Sequence, residues 1–214
     1  MKIFRQTILI FFTILFGISC SSTDQNKNII SESIQTNKIR KEIPLRNQSE
    51  SFRNLKNTFE KFIPLESLEK GFDKEEIRIW FANSSNKEQL VILRNVRDKW
   101  TAELYSLTYN YDSITNKLIS ISKIIYPKIP KSGWKSFITK LFALDISYLP
   151  DMEEFDNYQI GYDGKTVAIE IANETSYRSY SYWEANAYQN SIPEAKKVVL
   201  ISELLEKELD FKRL

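Results

Sequence analysis

The stretch Ile77-Arg78-Ile79-Trp80-Phe81-Ala82 decides the fold that the sequence predicts. Apolar residues at its odd-numbered positions alternate with an arginine and a tryptophan, and this period of two is that of a β-strand. The loop-forming run Asn83-Ser84-Ser85-Asn86 follows, and residues 89–94 are predicted as the returning strand. Connections this short join antiparallel neighbours. The stretch therefore predicts the first hairpin of an antiparallel sheet.

Signals for further elements extend from this hairpin in both directions. The residues upstream that recur at helical spacing are Phe52, Leu55, Phe59, Phe62 and Ile63, and Pro64 ends the run. Downstream, residues 100–111 and 117–126 continue the sheet as a meander, which Pro127 and Pro130 close. A helix then opens after Gly133. The apolar stripe that we expect to pack on the sheet is Trp134, Phe137, Ile138, Leu141 and Phe142.

The last third of the chain predicts a second group of strands and a terminal helix. Residues 158–162 and 165–172 flank Asp163-Gly164, a dipeptide typical of tight hairpin turns because both central residues need positive φ. Residues 177–183 are predicted as a third strand, and Ser191-Ile192-Pro193-Glu194 matches a capping box. The apolar stripe of the terminal helix is Val198, Ile201, Leu205 and Leu209. The predicted class is α+β, an antiparallel sheet of about seven strands (a meander plus an Asp-Gly hairpin) with two or three helices packed on a face.

Two absences in the composition exclude most catalytic chemistry. The 214 residues contain no histidine, which removes Ser-His-Asp and Cys-His nucleophilic catalysis and most catalytic zinc sites. The single cysteine permits neither an intrachain disulfide nor a cysteine-rich metal site. With 30 basic and 28 acidic residues, the chain lacks the clustered basic excess of nucleic-acid-binding proteins. We therefore expect no catalytic residue, no cofactor, no metal and no nucleic-acid partner.

Residues 1–19 have the three-part organisation of a secretory signal peptide. Lys2 and Arg5 form a positive start, residues 8–16 are an apolar run interrupted only by Thr13, and a short segment ending in Ser19 follows. The apolar run is too short to span a bilayer, which needs about 20 residues. The alternative, a buried core helix, is disfavoured because no polar residues pattern one face of the run.

The junction Gly17-Ile18-Ser19-Cys20 resembles the lipobox of bacterial lipoproteins. Ser19 matches the small residue that this family has before the cysteine, whereas Gly17 departs from the usual leucine. The resemblance implies that Cys20 becomes the first mature residue, with a diacylglyceryl thioether and usually an N-acyl chain. Because two acyl chains anchor a protein stably, it also implies a cell-envelope location, with the membrane itself as the first partner. We expect the outer membrane, on either its periplasmic or its surface side.

Residues 20–50 are predicted as the lipidated cysteine and a flexible tether. The stretch after Cys20 holds no aromatic residue and is rich in serine, asparagine, glutamine, threonine and lysine. Such a segment cannot bury enough apolar area to offset the entropy of ordering it. Residues 51–214 are then predicted as a single α+β domain.

The segment Tyr177-Arg178-Ser179-Tyr180-Ser181-Tyr182-Trp183 supplies the candidate ligand-binding residues. Period-two geometry puts Arg178, Tyr180 and Tyr182 on one face of a strand and Trp183 on the other. Tyrosine, tryptophan and arginine are enriched at binding surfaces, so we expect a protein or glycan ligand here. The alternative is that aromatic residues suit strands and pack beneath a helix.

Two groups of acidic residues admit a chemical role. The acidic loop contains Asp151, Glu153, Glu154 and Asp156. It could offer oxygens to calcium, but it lacks the spacing of a calcium loop, and a solvated loop is favoured. Glu170, with Glu174 beyond it, could begin a carboxylate pair, because glycoside hydrolysis needs only two such groups. A surface glutamate on the outer face of the sheet is the favoured alternative.

Residues 77–209 also resemble a group of uncharacterised exported bacterial proteins. The residues that carry the resemblance are Ile77-Arg78-Ile79-Trp80, Gly133-Trp134, Leu149-Pro150-Asp151, Asp163-Gly164, Glu170 and Tyr177-Arg178-x-Tyr180. The shared pattern is a Trp-led helix, an Asp-Gly hairpin, a strand glutamate and an aromatic strand before the last helix. Members often carry a histidine in that strand, which this chain lacks. The resemblance implies a shared fold and supplies no catalytic residue.

These observations favour an envelope lipoprotein whose domain binds a partner and performs no chemistry. One alternative is a hydrolase that cleaves envelope glycans through two carboxylates. Another is an immunity-type lipoprotein that shields its cell from a toxin. A concave pocket with two facing carboxylates would indicate the hydrolase, and a toxin encoded beside the gene would indicate the immunity protein.

Replacing the predicted lipid attachment residue tests the anchor. We expect Cys20→Ser either to release the protein from membranes or to leave it unprocessed with its signal peptide, because serine cannot form the thioether. Incorporation of labelled fatty acid, followed by membrane fractionation, measures this. Equal labelling of wild type and Cys20→Ser would contradict the lipoprotein prediction.

Overall fold

The computed structural model describes residues 52, 56–57, 62–63, 65–72, 74–83, 86–115, 117–161 and 163–214. The predicted signal peptide, Cys20 and the predicted tether lie outside the described residues. Of the first predicted helix, Phe52, Lys56, Asn57 and Phe62 are described as helical. Within the described part of the chain, no helix has both the length and the apolar character to cross a bilayer.

The fold is α+β and is built on one antiparallel sheet of six strands across the described residues. The strands are β1 (Glu75–Ala82), β2 (Lys87–Val96), β3 (Lys99–Tyr111), β4 (Leu118–Lys128), β5 (Thr166–Asn173) and β6 (Tyr177–Trp183). Their order across the sheet is β4-β3-β2-β1-β5-β6, and every neighbouring pair is antiparallel. The predicted meander is thus confirmed as β1 to β4, with strand ends within one or two residues of those predicted.

The α-helices with described bounds are α1 (Trp134–Phe142), α2 (Ala185–Tyr188) and α3 (Pro193–Leu209). Short 3-10 turns cover Leu68–Lys70 and Met152–Glu154. All four residues of the stripe predicted for α3 are buried. Of the stripe predicted for α1, Phe137 and Leu141 are buried, and the other members pack at the margin of the core.

The central strand β1 carries the alternation that the sequence predicts. Ile77 and Ile79 lie opposite Leu93 and Val91 of β2, and they lie opposite Ile171 and Ile169 of β5. These side chains share one core with the apolar faces of α1 and α3. This side of the sheet, covered by the three helices, is called the helix face below.

The opposite side of the sheet is buried as well. Trp80, Leu90, Ile92, Tyr105 and Leu107 form a second core with Phe52 and Ile63. A smaller cluster nearby joins Leu68 to Ala172 and Tyr177. Helices on one face were predicted, whereas segments before β1 also cover the second face, so six consecutive residues of β1 are buried.

The Asp163-Gly164 hairpin and the strand predicted before it are wrong. Residues 158–161 form no strand, and the hairpin of this region joins β5 to β6 instead, where the Asn173 side chain accepts the Ser176 N–H at 2.8 Å. Gly161 and Gly164 have a different structural role, next to Trp183. A Cβ on Gly161 or Gly164 would lie 2.7 or 2.6 Å from the indole of Trp183, so each permits a close approach of the backbone to that ring.

The predicted capping box before α3 is also wrong. Ile192, not Ser191, occupies the N-cap position, and Pro193 is in the first turn. The Ser191 hydroxyl instead donates to the Tyr188 carbonyl at 3.2 Å. Proline has a fixed φ suited to the first helical turn and no N–H that needs a cap, so the helix begins without the serine.

Candidate functional site

The predicted ligand-binding residues of β6 lie on the helix face. Tyr180 and Tyr182 have only 1% and 0% of their surface exposed. The Tyr180 hydroxyl donates to the Ile146 carbonyl at 2.7 Å, and the Tyr182 hydroxyl donates to the Pro150 carbonyl at 2.8 Å. Both tyrosines therefore hold the segment that follows α1 against the sheet, and they offer no exposed surface to a ligand.

Arg178 takes part in the same attachment. Its Nη2 donates to the Leu149 carbonyl, and its guanidinium lies 5.8 Å from the centre of the Tyr180 ring. The burial of the strand supports the alternative given for these aromatics, that they pack beneath a helical layer. Trp183, the last residue of β6, is only half-buried and packs against the core of the helix face.

The acidic loop is a structural connection. Asp151 is buried, and its carboxylate accepts the Ser181 N–H at 2.7 Å and the Glu153 N–H at 2.9 Å. Glu153 and Glu154 are exposed. Across the part of the chain that is described, no three aspartate, glutamate, histidine or cysteine side chains are grouped to hold a metal ion.

Glu170 is not the surface glutamate that the sequence favoured. It is 0% exposed, and it accepts hydrogen bonds from Trp80 Nε1 at 3.1 Å and from the Tyr177 hydroxyl at 2.9 Å. Burial raises the pKa of Glu170, while the nearby Arg78 and Lys56 lower it. Glu174 lies exposed beyond the end of β5. Because Glu170 is enclosed, a glycan cannot reach the proposed carboxylate pair.

A network of charges continues on the same side of β1. Glu76 is buried and binds Arg78 Nε at 2.6 Å and Arg94 Nε at 2.7 Å. Arg94 also pairs with Glu103 at 2.7 Å. Arg78 donates through Nη2 to the Glu66 carbonyl at 2.8 Å, which ties the segment before β1 to the sheet. The network is a fixed structural support, because its carboxylates are occupied by arginines.

An open groove on the surface is the strongest candidate site. It has a volume of about 630 Å³ and is lined by Asp98, Lys99, Trp100, Trp134, Lys135, Ile138 and Thr139. This set is called the tryptophan groove below. Its volume lies within the range of roughly 300–1,000 Å³ that is typical of small-molecule sites. Both indoles are half-buried, so each is anchored in the fold and still presents part of its ring to solvent.

Two local features of the backbone place these indoles. The turn between β2 and β3 has positive φ at Arg97 and Asp98, 52° and 62°, as a tight primed hairpin turn requires, and Trp100 follows at the start of β3. Gly133 has φ of 77° immediately before α1, and this conformation, which glycine adopts without strain, sets Trp134 in the first helical turn. The two tryptophans therefore come from two rigid elements.

Each of the two indole rings packs against a phenylalanine of α1. Trp100 meets Phe142 edge-on at a centroid distance of 6.4 Å, and Trp134 meets Phe137 in the same manner at 6.3 Å. The sequence did not predict this site, because Trp134 was expected in a packing stripe and Trp100 in the strand predicted at residues 100–111. The available signal was that each tryptophan lies beside a lysine at the start of its element.

A smaller cavity of about 190 Å³ lies near the start of β5. Its cations are already engaged: Arg213 pairs with Glu206 at 2.9 Å, and Lys165 Nζ donates to the Leu214 carbonyl at 2.9 Å. It is below the usual size of a ligand pocket. The tryptophan groove is the better candidate.

Comparison with known proteins adds no relative. No family model, no curated protein and no solved structure matches this chain. The function is therefore inferred from the geometry of the chain itself.

Truncating the two buried tyrosines tests the position of β6. We expect Tyr180→Ala and Tyr182→Ala each to lower the free energy of unfolding by about 3–5 kcal/mol, the range for large buried aromatics. Thermal melting measures this, with a shift of about 2–4 °C for each kcal/mol in a domain of this size. Tyr148→Ala is the control, because Tyr148 is 80% exposed. Melting temperatures near that of wild type for the Tyr180 and Tyr182 variants would show that β6 is not covered.

The pair Glu88–Tyr109 makes stability depend on pH. Both residues are buried, and the Tyr109 hydroxyl donates to the Glu88 carboxylate. Burial raises the pKa of Glu88 from 4.5 to about 7, although the hydrogen bond from Tyr109 lowers it in part. A folded pKa above the unfolded one means that the native state holds the proton more tightly. This stabilisation is complete below about pH 4.5 and is lost as the pH rises to about 7.

Glu88→Gln should remove this pH dependence. We expect the wild type to lose up to about 3 kcal/mol of unfolding free energy through this group between about pH 4.5 and pH 8. The glutamine variant should lose none of that contribution, because it cannot ionise. Urea unfolding at the two pH values measures the difference, and Glu203→Gln, an exposed position on α3, is the control. The same pH dependence in Glu88→Gln as in wild type would refute the assignment.

Proposed function

We propose that this chain is a lipid-anchored protein of the cell envelope whose domain binds a protein or glycan partner through the tryptophan groove and performs no chemistry. The observation that carries the proposal is the pair of half-buried indoles, Trp100 and Trp134, on rigid neighbouring elements. The anchor is the lipid at Cys20 that the lipobox resemblance implies. Together they describe a binding module held at a membrane.

The chemistry of the groove suits recognition. Indole rings supply large apolar area with few rotatable bonds, so ordering them on binding costs little entropy, and each ring also offers one N–H donor. Lys99 and Lys135 add two exposed positive charges and Asp98 adds one negative charge. A partner that offers a flat apolar face, flanked by acceptors, fits this lining. Sugar rings, aromatic side chains and proline side chains all present such a flat apolar face.

The groove also argues against hydrolysis. Asp98 is its single carboxylate among the described lining residues, and a glycosidase needs two that face each other. Glu170 lies enclosed on the other side of the sheet. Binding without turnover is therefore the function that the groove supports.

Removing one indole tests this function. We expect Trp134→Ala to weaken binding of the cognate partner by about 30-fold, the loss of about 2 kcal/mol that defines an interface hot spot. The probes are N-acetylated oligosaccharides from cell-wall glycan and proline- and aromatic-rich peptides. Tryptophan fluorescence and calorimetric titration of the full-length chain in detergent micelles measure binding.

Tyr148→Ala is the matched control, because Tyr148 is an exposed aromatic that does not line the groove. It should bind as wild type does. Release of shortened oligosaccharide would contradict the non-catalytic proposal. Equal affinity of wild type and Trp134→Ala for every probe that binds would show that the groove is not the site.

A further inference from the structure

The two edge strands of the sheet, β6 and β4, differ in what covers their outer N–H and C=O groups. At the β6 edge, the Ser181 N–H donates to Asp151 Oδ2 at 2.7 Å and the Trp183 N–H lies 3.0 Å from Met152 Sδ. The 3-10 turn Met152–Glu154 thus covers that edge. At the other end of the sheet, β4 pairs with β3 alone among the described strands, and most of its residues are exposed. Within the described part of the chain, one edge is therefore covered and the other is open.

The open strand is unusually apolar for an edge. Ile124 and Tyr126 are exposed on the helix face, 58% and 44%, and Ile125 is exposed on the other face, 39%. Ile119, at a register shift near the start of the strand, is 59% exposed. Residues 118–126 contain no proline and one charge, Lys123. Protected edges are usually short, charged or broken by proline, because a long apolar edge is a template for another strand. In β4 nine residues precede Pro127, and its pairing with β3 has one register shift, between Leu118 and Ser120.

The lysines in and beside β4 favour one of three partners that could cover this edge: a second copy of the chain, a lipid surface or an acidic segment of another protein. Lys117 and Lys123 form no ion pair with any described residue, and Lys128 follows at the end of β4. A second copy paired antiparallel about Lys123 would place Lys123 directly opposite its own copy, and Lys117 would lie diagonally next to Lys128 of the neighbour, which is unfavourable. A lipid surface would bury the outer N–H and C=O groups of β4 without hydrogen-bond partners. An extended acidic segment of another protein avoids both costs.

We propose that β4, from Leu118 to Tyr126, is a docking edge for an extended segment of another protein that carries acidic residues among β-branched apolar ones. The segment adds to the sheet as a strand beside β4. Its backbone pairs with the outer N–H and C=O groups, and its apolar side chains cover the exposed isoleucines. Its carboxylates lie near Lys117 and Lys123. This edge is separate from the tryptophan groove, none of whose lining residues belongs to β4.

A designed peptide tests the proposal on the full-length chain in detergent micelles. The probe is Glu-Val-Val-Thr-Glu-Val-Val-Thr-Glu, and the control peptide has lysine in place of glutamate. We expect the acidic peptide to bind at least tenfold more tightly and to slow amide hydrogen exchange within residues 118–126. An acidic peptide N-methylated at every residue should not bind, because neither edge of its backbone keeps an N–H group that can donate to β4.

Two variants with matched controls locate the contact. Lys123→Glu should weaken binding of the acidic peptide about tenfold, whereas Lys207→Glu, the same charge change on an exposed position of α3, should not. Ile124→Ser should weaken it, whereas Ile160→Ser, at another exposed isoleucine, should not. If a variant fails to fold, the comparison of acidic and basic peptides on the wild-type protein still tests the proposal.

Three results would overturn the proposal. One is equal binding of the acidic and basic peptides, or no change in exchange within β4. Another is self-association that protects β4 in the absence of peptide, which would assign the edge to a second copy. The third is protection of β4 by phosphatidylglycerol vesicles with no peptide binding, which would assign it to lipid.

Discussion

The pairing of β1 on both of its edges is the constraint on which the rest of the structure depends. Glu75–Ala82 is hydrogen-bonded to β2 on one side and to β5 on the other, and its two faces are both covered. A strand enclosed on four sides cannot send a polar residue to solvent. Glu76 and Arg78 must therefore find partners inside the protein, and Arg94, Glu103 and the segment around Glu66 are placed to meet them.

Buried charges of this kind add little net stability, yet the loss of one of them is costly. The desolvation of two ions offsets much of their mutual attraction, so a buried pair adds little net free energy compared with an apolar pair. Removing one partner is far more costly, because the remaining charge stays buried without compensation. In this sheet Glu76 is met by two arginines, and Arg78 is met by Glu76 and by the Glu66 carbonyl of the covering segment. The network thus restricts what can cover this face of β1.

Much of the fold could be predicted from the sequence, and the failures have physical causes. Period-two patterning located β1 to β4 because each strand is long and has two chemically different sides. The Asp163-Gly164 hairpin failed because glycine serves two purposes, a turn with positive φ and a close approach to a bulky ring, and local sequence does not separate them. The second covered face was missed because its cover is brought in by segments before β1, through tertiary contacts.

The sites were harder to predict than the fold for a related reason. Tyr180 and Trp134 are both aromatic residues on amphipathic elements, and their exposure depends on what lies above them. Tyr180 lies beneath the segment that follows α1, whereas Trp134 lies in the first turn of α1, at the margin of the core. Composition marked the aromatic strand as a binding surface, but packing placed the exposed rings elsewhere.

The position of β5 beside β1 has a consequence for the order of folding. Ile79 and Ile169 are neighbours in the sheet, yet 83 residues lie between Ala82 and Thr166 of the same pairing. The β1–β4 meander is local and closes through short turns, whereas the β1–β5 ladder must wait for a long loop to close. During synthesis from the N-terminus, β1 can pair with β2 early. Its other side, which pairs with β5, stays unpaired until the last third of the chain has been made. The interval before β5 arrives is the period in which this protein is most exposed to mispairing.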